Sequence, residues 1–365
     1  MRFTPLNNND RDNDLPLAGP PSPESEPMKE NSLTTEEKDA NQPIGLDVGT
    51  SRIVAARGGD KNCRYEAQLN AFITLPYSKL AQNLLTREDV FHEVFDNQIV
   101  VAGNDAHKFA EVFHVETRRP MLQGVLNARE PHGIHVIRRI ITRLIGKASS
   151  EGRRLFYSVP AASEGGDQGI AYHNATIKQI LIELGYEAHP IEEGLAVVFG
   201  EMCSSNYTGI GISCGSGMCN ACLAVLSVPV VSFSIPKAGD YIDSHAAAVT
   251  GEVATRLRTE KEHGFRLNGL STDRVKNALT IYYQEVIETL AYTLRAKLSS
   301  AERLPKFDRP VPVVLSGGTA MPKGFLDQFI AALRTQDFPV KILEVRMSDD
   351  PLNSTAKGAL MAATC

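Results

Sequence analysis

Two stretches of the chain repeat one pattern, and that repeat constrains how everything between them can fold. The first is Ile44-Gly45-Leu46-Asp47-Val48-Gly49-Thr50-Ser51-Arg52, a short apolar run that turns into the alternating segment Arg52–Arg57. The second lies at 209–224, where GIGISC passes through Gly215-Ser216-Gly217-Met218 into CNACLA. Each reads as a β-hairpin closed by a glycine turn. The first is followed by strand-like residues 68–76 and 98–102, a helix over 105–113, and a helical stripe at 132–147 carrying Ile134, Ile137, Ile140, Ile141, Leu144 and Ile145. A buried strand at 155–160, a helix over 172–185, a further strand and a helix over 192–202 complete that half. The second is followed by a strand at 229–235, helices over 240–262 and 272–298, a strand at 311–315, a helix over 323–333, a strand at 339–344 and a closing helix over 351–363. Two βββαβα-like halves amount to an internal duplication of α/β type.

The turn chemistry suggests what the repeat is for. Asp47 ends a buried strand, where a carboxylate suits a hydrated divalent cation. Gly49 lets the backbone come close to a ligand, and the amides and hydroxyls of Thr50 and Ser51 can cradle phosphate oxygens. A D-x-G-[ST] turn by itself mostly just reverses the chain. Its weight comes from the second hairpin and from a third glycine element at 316–324, Ser316-Gly317-Gly318-Thr319. A nucleotide would lie between the halves.

At 365 residues, 42% of them hydrophobic and 22% charged, the chain has the makeup of a soluble globular protein with a substantial core. It has no apolar run of transmembrane length and no basic-then-apolar leader, so a cytoplasmic location is the default expectation. Residues 1–43 hold nine acids against Arg2, Arg11, Lys29 and Lys38, a net −5 that equals the charge of the whole chain. The remainder is formally neutral, so no basic surplus points to nucleic acid. This acidic, proline-rich tail cannot bury enough apolar surface to offset its ordering entropy and reads as disordered; it could bind a basic partner or simply solubilise. Among six cysteines, Cys214, Cys219 and Cys222 have the spacing of three iron–sulfur ligands. Small buried thiols in an apolar strand would look the same, and no fourth ligand is evident nearby.

With all three glycine elements in place, residues 44–363 resemble the actin-like ATPase superfamily (actin, heat-shock chaperones and sugar kinases), and most of all the bacterial actin MreB and its magnetosome-type relatives. The resemblance rests on GLDVGTSRI (45–53), VAGNDAHKF (101–109), RRPMLQGVLN (118–127), PIEEGLAVVFGE (190–201), GDYID (239–243), VVLSGGTAMPKGF (313–325) and DPLNSTAKGAL (350–360), in that order. It implies two duplicated ribonuclease-H-like α/β halves with a nucleotide cleft between them. Expected boundaries are a tail at 1–43, a first half at 44–205 with a small insert at about 61–130, and a second half at 206–365 with a helical insert at about 240–300. It also implies ATP and Mg²⁺ as cofactors, with Asp47 as the metal residue. Gly49, Thr50, Ser51, Arg52, Ser213, Gly215, Ser216 and Gly217 would face phosphates, Arg52 either adding charge there or merely being solvated. Gly317, Gly318 and Thr319 would face adenosine. Lys261 and Glu262 fall where the family has a pair near the ribose, or else form a solvated helix face.

The departures from the family are as informative. Ser213 replaces the second-loop aspartate, so metal binding should rest more heavily on Asp47; Met218 replaces a phosphate-touching threonine. The E-R-R-A run expected after Val159-Pro160 is missing. Asp167 and Gln168, with His173 and Asn174 beyond them, are the candidates for orienting or polarising water, and both loop residues also fit an ordinary turn. The leading expectation is an MreB-like protein that assembles head to tail with itself into ATP-dependent filaments, with slow hydrolysis at most. The alternatives are a nucleotide-binding scaffold without turnover, a chaperone-type ATPase and a small-molecule kinase.

Overall fold

A computed structural model describes residues 42–163, 169–302 and 304–365. Its first strands are β1 (Ile44–Val48), β2 (Arg52–Arg57) and β3 (Arg64–Leu69). Then come β4 (Phe72–Pro76), α1 (Lys79–Arg87), β5 (His92–Phe95), β6 (Gln98–Ala102) and α2 (Asn104–Phe113). A short hairpin of β7 (Met121–Leu122) and β8 (Val125–Leu126) precedes α3 (Gly133–Ile145), β9 (Arg153–Val159), α4 (Ile170–Glu183), β10 (Tyr186–Glu192) and α5 (Glu193–Glu201). The second series runs β11 (Gly209–Cys214), β12 (Cys219–Val225), β13 (Val228–Ile235), α6 (Gly239–Thr250), α7 (Ala254–Glu262) and α8 (Arg274–Ser300). It ends with β14 (Val311–Ser316), α9 (Phe325–Arg334), β15 (Ile342–Met347) and α10 (Ser354–Thr364).

The duplication is visible strand for strand. One sheet has the order β10-β9-β1-β2-β3 and the other β15-β14-β11-β12-β13. In each, the opening three strands form an antiparallel meander, and the two later strands add in parallel beside the first. Ligands of such sheets gather beyond the carboxyl ends of the parallel strands. Register pairs Leu46 with Tyr157 across β1 and β9, just before Asp47 and Ser158, and sets Ser213 directly beside Ser316 across β11 and β14.

Packing joins the halves by exchange. Helix α5 follows the first sheet in the chain but lies on the second, where a Cβ on Gly194 would be 2.7 Å from the Ala221 and Cys222 backbone. Helix α10 follows the second sheet but covers the first: Ala356 and Leu360 pack with Val54 and Ala56, and a Cβ on Gly45 would lie 2.2 Å from the Ala356 carbonyl oxygen. The two helices also touch backbone to backbone, since a Cβ on Gly358 would overlap the Ala196 carbonyl. Larger apolar cores lie on the other faces, around Tyr283, Leu290 and Phe325 in one half and Ile137, Ile141 and Tyr157 in the other.

Several expectations need correction. The strand expected over 68–76 is two strands, because Asn70 leaves the ladder to support the first turn: its backbone N–H donates to Ser51 O and its side-chain amide to Gly49 O. The helix expected over 240–262 breaks at Gly251, which caps α6 in the left-handed region. Ile134 is exposed, and Val136 takes its place on the buried stripe. Elements α1, β5, β7 and β8 escaped the pattern reading. All six cysteines are free. Cys214 and Cys219 are cross-strand partners in one core while Cys222 lies in another, so β12 turns the three thiols to opposite faces, away from a common cluster. Residues 1–41, most of the acidic tail, lie outside the described residues.

Candidate functional site

The two glycine hairpins meet tip to tip. A Cβ on Gly217 would sit 2.4 Å from Thr50 Oγ1 and 2.5 Å from the Gly124 amide nitrogen. Thr50, nearly buried, accepts a hydrogen bond from Gly124 N at 3.0 Å. Gly124, at φ +78°, belongs to the β7–β8 turn, so this strap reaches across from the first half to the second-half hairpin. A Cβ there would strike the Met218 sulfur at 2.6 Å, which is where the residue replacing threonine has gone. The strap is tied further by Arg119 Nη1 to Asp240 Oδ1 at 2.7 Å.

The second hairpin is held from behind by the other elements named in the sequence. Asp240 N donates to Ser216 O at 2.7 Å, and Thr319 Oγ1 donates to Gly215 O at 2.6 Å. Gly317, at φ +92°, presses on the Cys214 backbone, where a Cβ would be 2.2 Å from the carbonyl oxygen; its glycine is required by this approach. A Cβ on Gly318 would meet only Leu352, at 3.5 Å, which leaves that position open to a ligand. Lys261 is absorbed into an ion pair with Asp243 at 2.7 Å and donates to Gly239 O at 3.2 Å, so it is not a solvated charge. Glu262 is exposed. Ser216 Oγ is buried with no hydrogen-bond partner among the described residues, an orphan that a bound polar group would satisfy.

Chemically, the heart of the site is a pair of carboxylates. Val48 N donates to Ser158 Oγ at 2.8 Å, and Ser158 Oγ donates to Asp47 Oδ1 at 2.7 Å. Opposite, at the start of α5, Ser213 Oγ donates to Glu193 Oε2 at 2.9 Å. Desolvation raises the pKa of Asp47, against the lowering influence of the Ser158 hydrogen bond and the Arg52 charge. Desolvation also raises Glu193, the charge of Asp47 adds to the rise, and Ser213 and Asn220 oppose it. The two groups therefore lie within electrostatic reach of each other. Among the described residues no set of three or more His, Cys, Asp or Glu side chains could hold a metal alone. Mg²⁺ needs only one or two carboxylates when water and phosphate oxygens fill its other positions, so Asp47 and Glu193 fit it.

Sequence reasoning missed Glu193, Ser158 and Asn220. For Glu193 and Ser158 the signal was positional: β1, β9 and β10 run parallel and end together, so residues at those ends converge on one edge of the sheet. Asp167 and Gln168 lie outside the described residues. The segment leading to them is pinned to the second half, with Ala161 N donating to Asn220 Oδ1 at 3.0 Å and Ser234 Oγ donating to Ala161 O at 2.9 Å. His173 is fully buried, and desolvation pushes its pKa down to about 4. Asn174 Oδ1 accepts from the Tyr157 hydroxyl at 2.5 Å, a structural task.

The family described as Volactin matches residues 43–363. No curated protein sequence matches the chain. Among solved structures, the MamK double helical filament is similar at TM-score 0.69 and 19% identity, covering 88% of this chain and 98% of that one. MreB5 of Spiroplasma citri bound to AMPPNP is similar at TM-score 0.60 and 15% identity, over 87% of this chain and 94% of that one. Ethanolamine utilization protein EutJ from Carboxydothermus hydrogenoformans is similar at TM-score 0.52 and 15% identity, over 87% and 88%. The fold is that of the actin-like ATPases, close to MreB and MamK.

Proposed function

The chain belongs to the Volactin family, and from that premise we propose that it is an actin-like protein that binds Mg-ATP between its halves and assembles head to tail into filaments. The observation that carries the reading is the meeting of the two glycine hairpins, Thr50 against Gly217, at the shared edge where Asp47 and Glu193 converge. Two backbone turns facing each other suit a polyphosphate, which would part the tips and take hydrogen bonds from both. Ser216 would supply a free hydroxyl, and Gly318 an open surface for the nucleoside. A bound Mg²⁺ would neutralise phosphate charge, with Asp47 and Glu193 as the residues that hold it.

A ligand that contacts both hairpins favours whichever relative setting of the halves lets both contacts form, so loss of its terminal phosphate would relax that setting. Support for self-assembly comes from the fold, which MamK adopts in a double helical filament. In this reading residues 44–205 and 206–365 act as the two halves, in a cytoplasmic protein whose acidic tail at 1–43 is left for a basic partner. A second reading is a scaffold that binds nucleotide without turnover, favoured by Ser213, which brings a hydroxyl where a third carboxylate would add charge.

Labelled ATP titrated with and without Mg²⁺, followed by phosphate release and sedimentation, tests the proposal. Saturable Mg²⁺-dependent binding and nucleotide-dependent pelleting are expected. A protein that binds no nucleotide sinks both readings. One that binds but stays in the supernatant at high concentration and releases no phosphate leaves the scaffold.

A further inference from the structure

The two carboxylates of the site are each held by one serine, and both serines stand at the edge where the parallel strands of the two sheets end. Ser158 lies on β9 beside Asp47, and Ser213 lies on β11 facing Glu193 of α5. Both serines are buried, at 1% and 4% exposure, so neither is kept for solubility. We propose that Ser158 and Ser213 are two positioning residues, which aim Asp47 and Glu193 at the divalent cation that accompanies the nucleotide. The inference rests on the Mg-nucleotide reading above and adds two residues to it.

The direction of each hydrogen bond supports the assignment. A serine hydroxyl has one proton to give and two lone pairs to receive with. At Ser158 the Val48 amide donates to the oxygen, which commits the hydroxyl proton to Asp47 Oδ1. The backbone of β1 thus fixes the rotor, the rotor fixes one carboxylate oxygen, and that sets where the other oxygen points. Ser213 holds Glu193 through its hydroxyl proton alone, donating to Oε2 at 2.9 Å. An ionised aspartate at 213 could not donate, and it would set a third negative charge beside Asp47 and Glu193. Replacing acid by hydroxyl at 213 therefore changes the residue's task from holding a cation to aiming the side chain that holds it. Partners that orient metal-binding groups in this way are typically worth about 10–100-fold in metal affinity.

The test is the dissociation constant of labelled ATP on the full chain, measured in Mg²⁺ and again in EDTA, for wild type, Ser213→Ala, Ser158→Ala and Ser158→Thr. Wild type should bind more tightly in Mg²⁺. Ser213→Ala and Ser158→Ala should each lose about tenfold of that metal-dependent gain, with a far smaller shift in EDTA. Ser158→Thr, which keeps the hydroxyl, should retain the gain. Ser158→Ala orphans the Val48 amide and can lower stability on its own account; Ser213→Ala orphans no backbone group and carries the test if Ser158→Ala does not fold. An undiminished Mg²⁺ gain in Ser213→Ala, or equal losses in Mg²⁺ and EDTA, overturns the inference. A threonine at 158 that behaves like alanine removes Ser158 from it. A wild type indifferent to Mg²⁺ defeats the underlying reading, a result distinguishable from the others because it needs no variant.

Discussion

The two halves share strand order, pairing sense and hairpin turn, yet they treat the end of their central strand differently. In the first half that position is Asp47, and the neighbouring serine on the parallel strand, Ser158, turns to it. In the second half the position is Ser213, and the matching serine, Ser316, turns away to the Pro351 carbonyl at 3.0 Å. Duplicated backbones have thus divided the labour: one hairpin brings charge, while the other brings glycine backbone and a hydroxyl that manages a carboxylate from elsewhere. The lesson is that a lost acid in a duplicated site need not empty the site, because a helix start can supply one. The chain's lone hairpin carboxylate has a companion after all.

The sharpest way to break this comparison is to remove the charge from the charged half. Asp47→Ala should weaken Mg²⁺-dependent ATP binding by on the order of 100-fold, about 2.7 kcal/mol, as read by titration in Mg²⁺ and EDTA. Equal binding by variant and wild type in Mg²⁺ would show that the first half has no special role. A smaller loss is expected from parting the tips. Gly217→Ala puts a methyl 2.4 Å from Thr50 Oγ1, across the boundary between the halves. Overpacking of this kind costs about 1–3 kcal/mol, to be read as a lowered midpoint in chemical unfolding together with a larger radius of gyration in solution scattering. Gly49→Ala strains only its own turn, against Arg52 O at 2.8 Å, and should lower stability without swelling the molecule.

The pH response isolates the charged edge. Asp47 and Glu193 both have folded-state pKa values raised by desolvation, so without ligand the folded protein holds protons that the unfolded chain has released. Their effect on stability therefore begins near the ordinary carboxylate value of about 4 and grows less favourable as pH rises through the raised values, at up to about 1.4 kcal/mol per pH unit for each proton. Denaturant midpoints measured across pH should fall along that window, and Glu193→Gln should flatten the fall. A fall of the same steepness in Glu193→Gln would place the responsible group elsewhere. The smallest effect expected is kinetic. Arg119→Ala removes the half-buried ion pair that ties the strap to Asp240, and should speed release of a fluorescent nucleotide by about two- to tenfold, in line with a loss of roughly 1 kcal/mol for such a pair. Arg119→Lys, which keeps the positive charge facing Asp240, should restore much of the slower rate.

How much of this was legible in the chain follows from the range over which each signal acts. The hairpins, the parallel strands and the duplication were readable because alternation and glycine turns are local properties of a dozen residues. Asp47, Thr50, Gly217 and Thr319 could be placed at the candidate site because they stand in those turns. Glu193 and Ser158 could not be, since their proximity to Asp47 depends on the register of β1 against β9, which pairs residues more than a hundred positions apart, and on that of β9 against β10. Lys261 could be placed near the site, but its partner could not be named, because Asp243 meets it only once α6 and α7 have broken at Gly251 and folded back. Met218 looked like a missing ligand; it is a side chain packed on a glycine of the strap.

The exchange of helices between the halves has a consequence for the order of events during synthesis. The face of the first sheet that carries Gly45, Val54 and Ala56 is covered by α10, residues 354–364. A ribosome that has finished β1, β2 and β9 has therefore made a sheet with one apolar face bare, and the element that shields it arrives some two hundred residues later. Domains that can close on themselves fold while the chain is still emerging; this first half cannot. Its nascent form must wait with a hydrophobic surface open to water and to other chains, which makes the interval before α10 emerges the period in which the protein most depends on protection from aggregation.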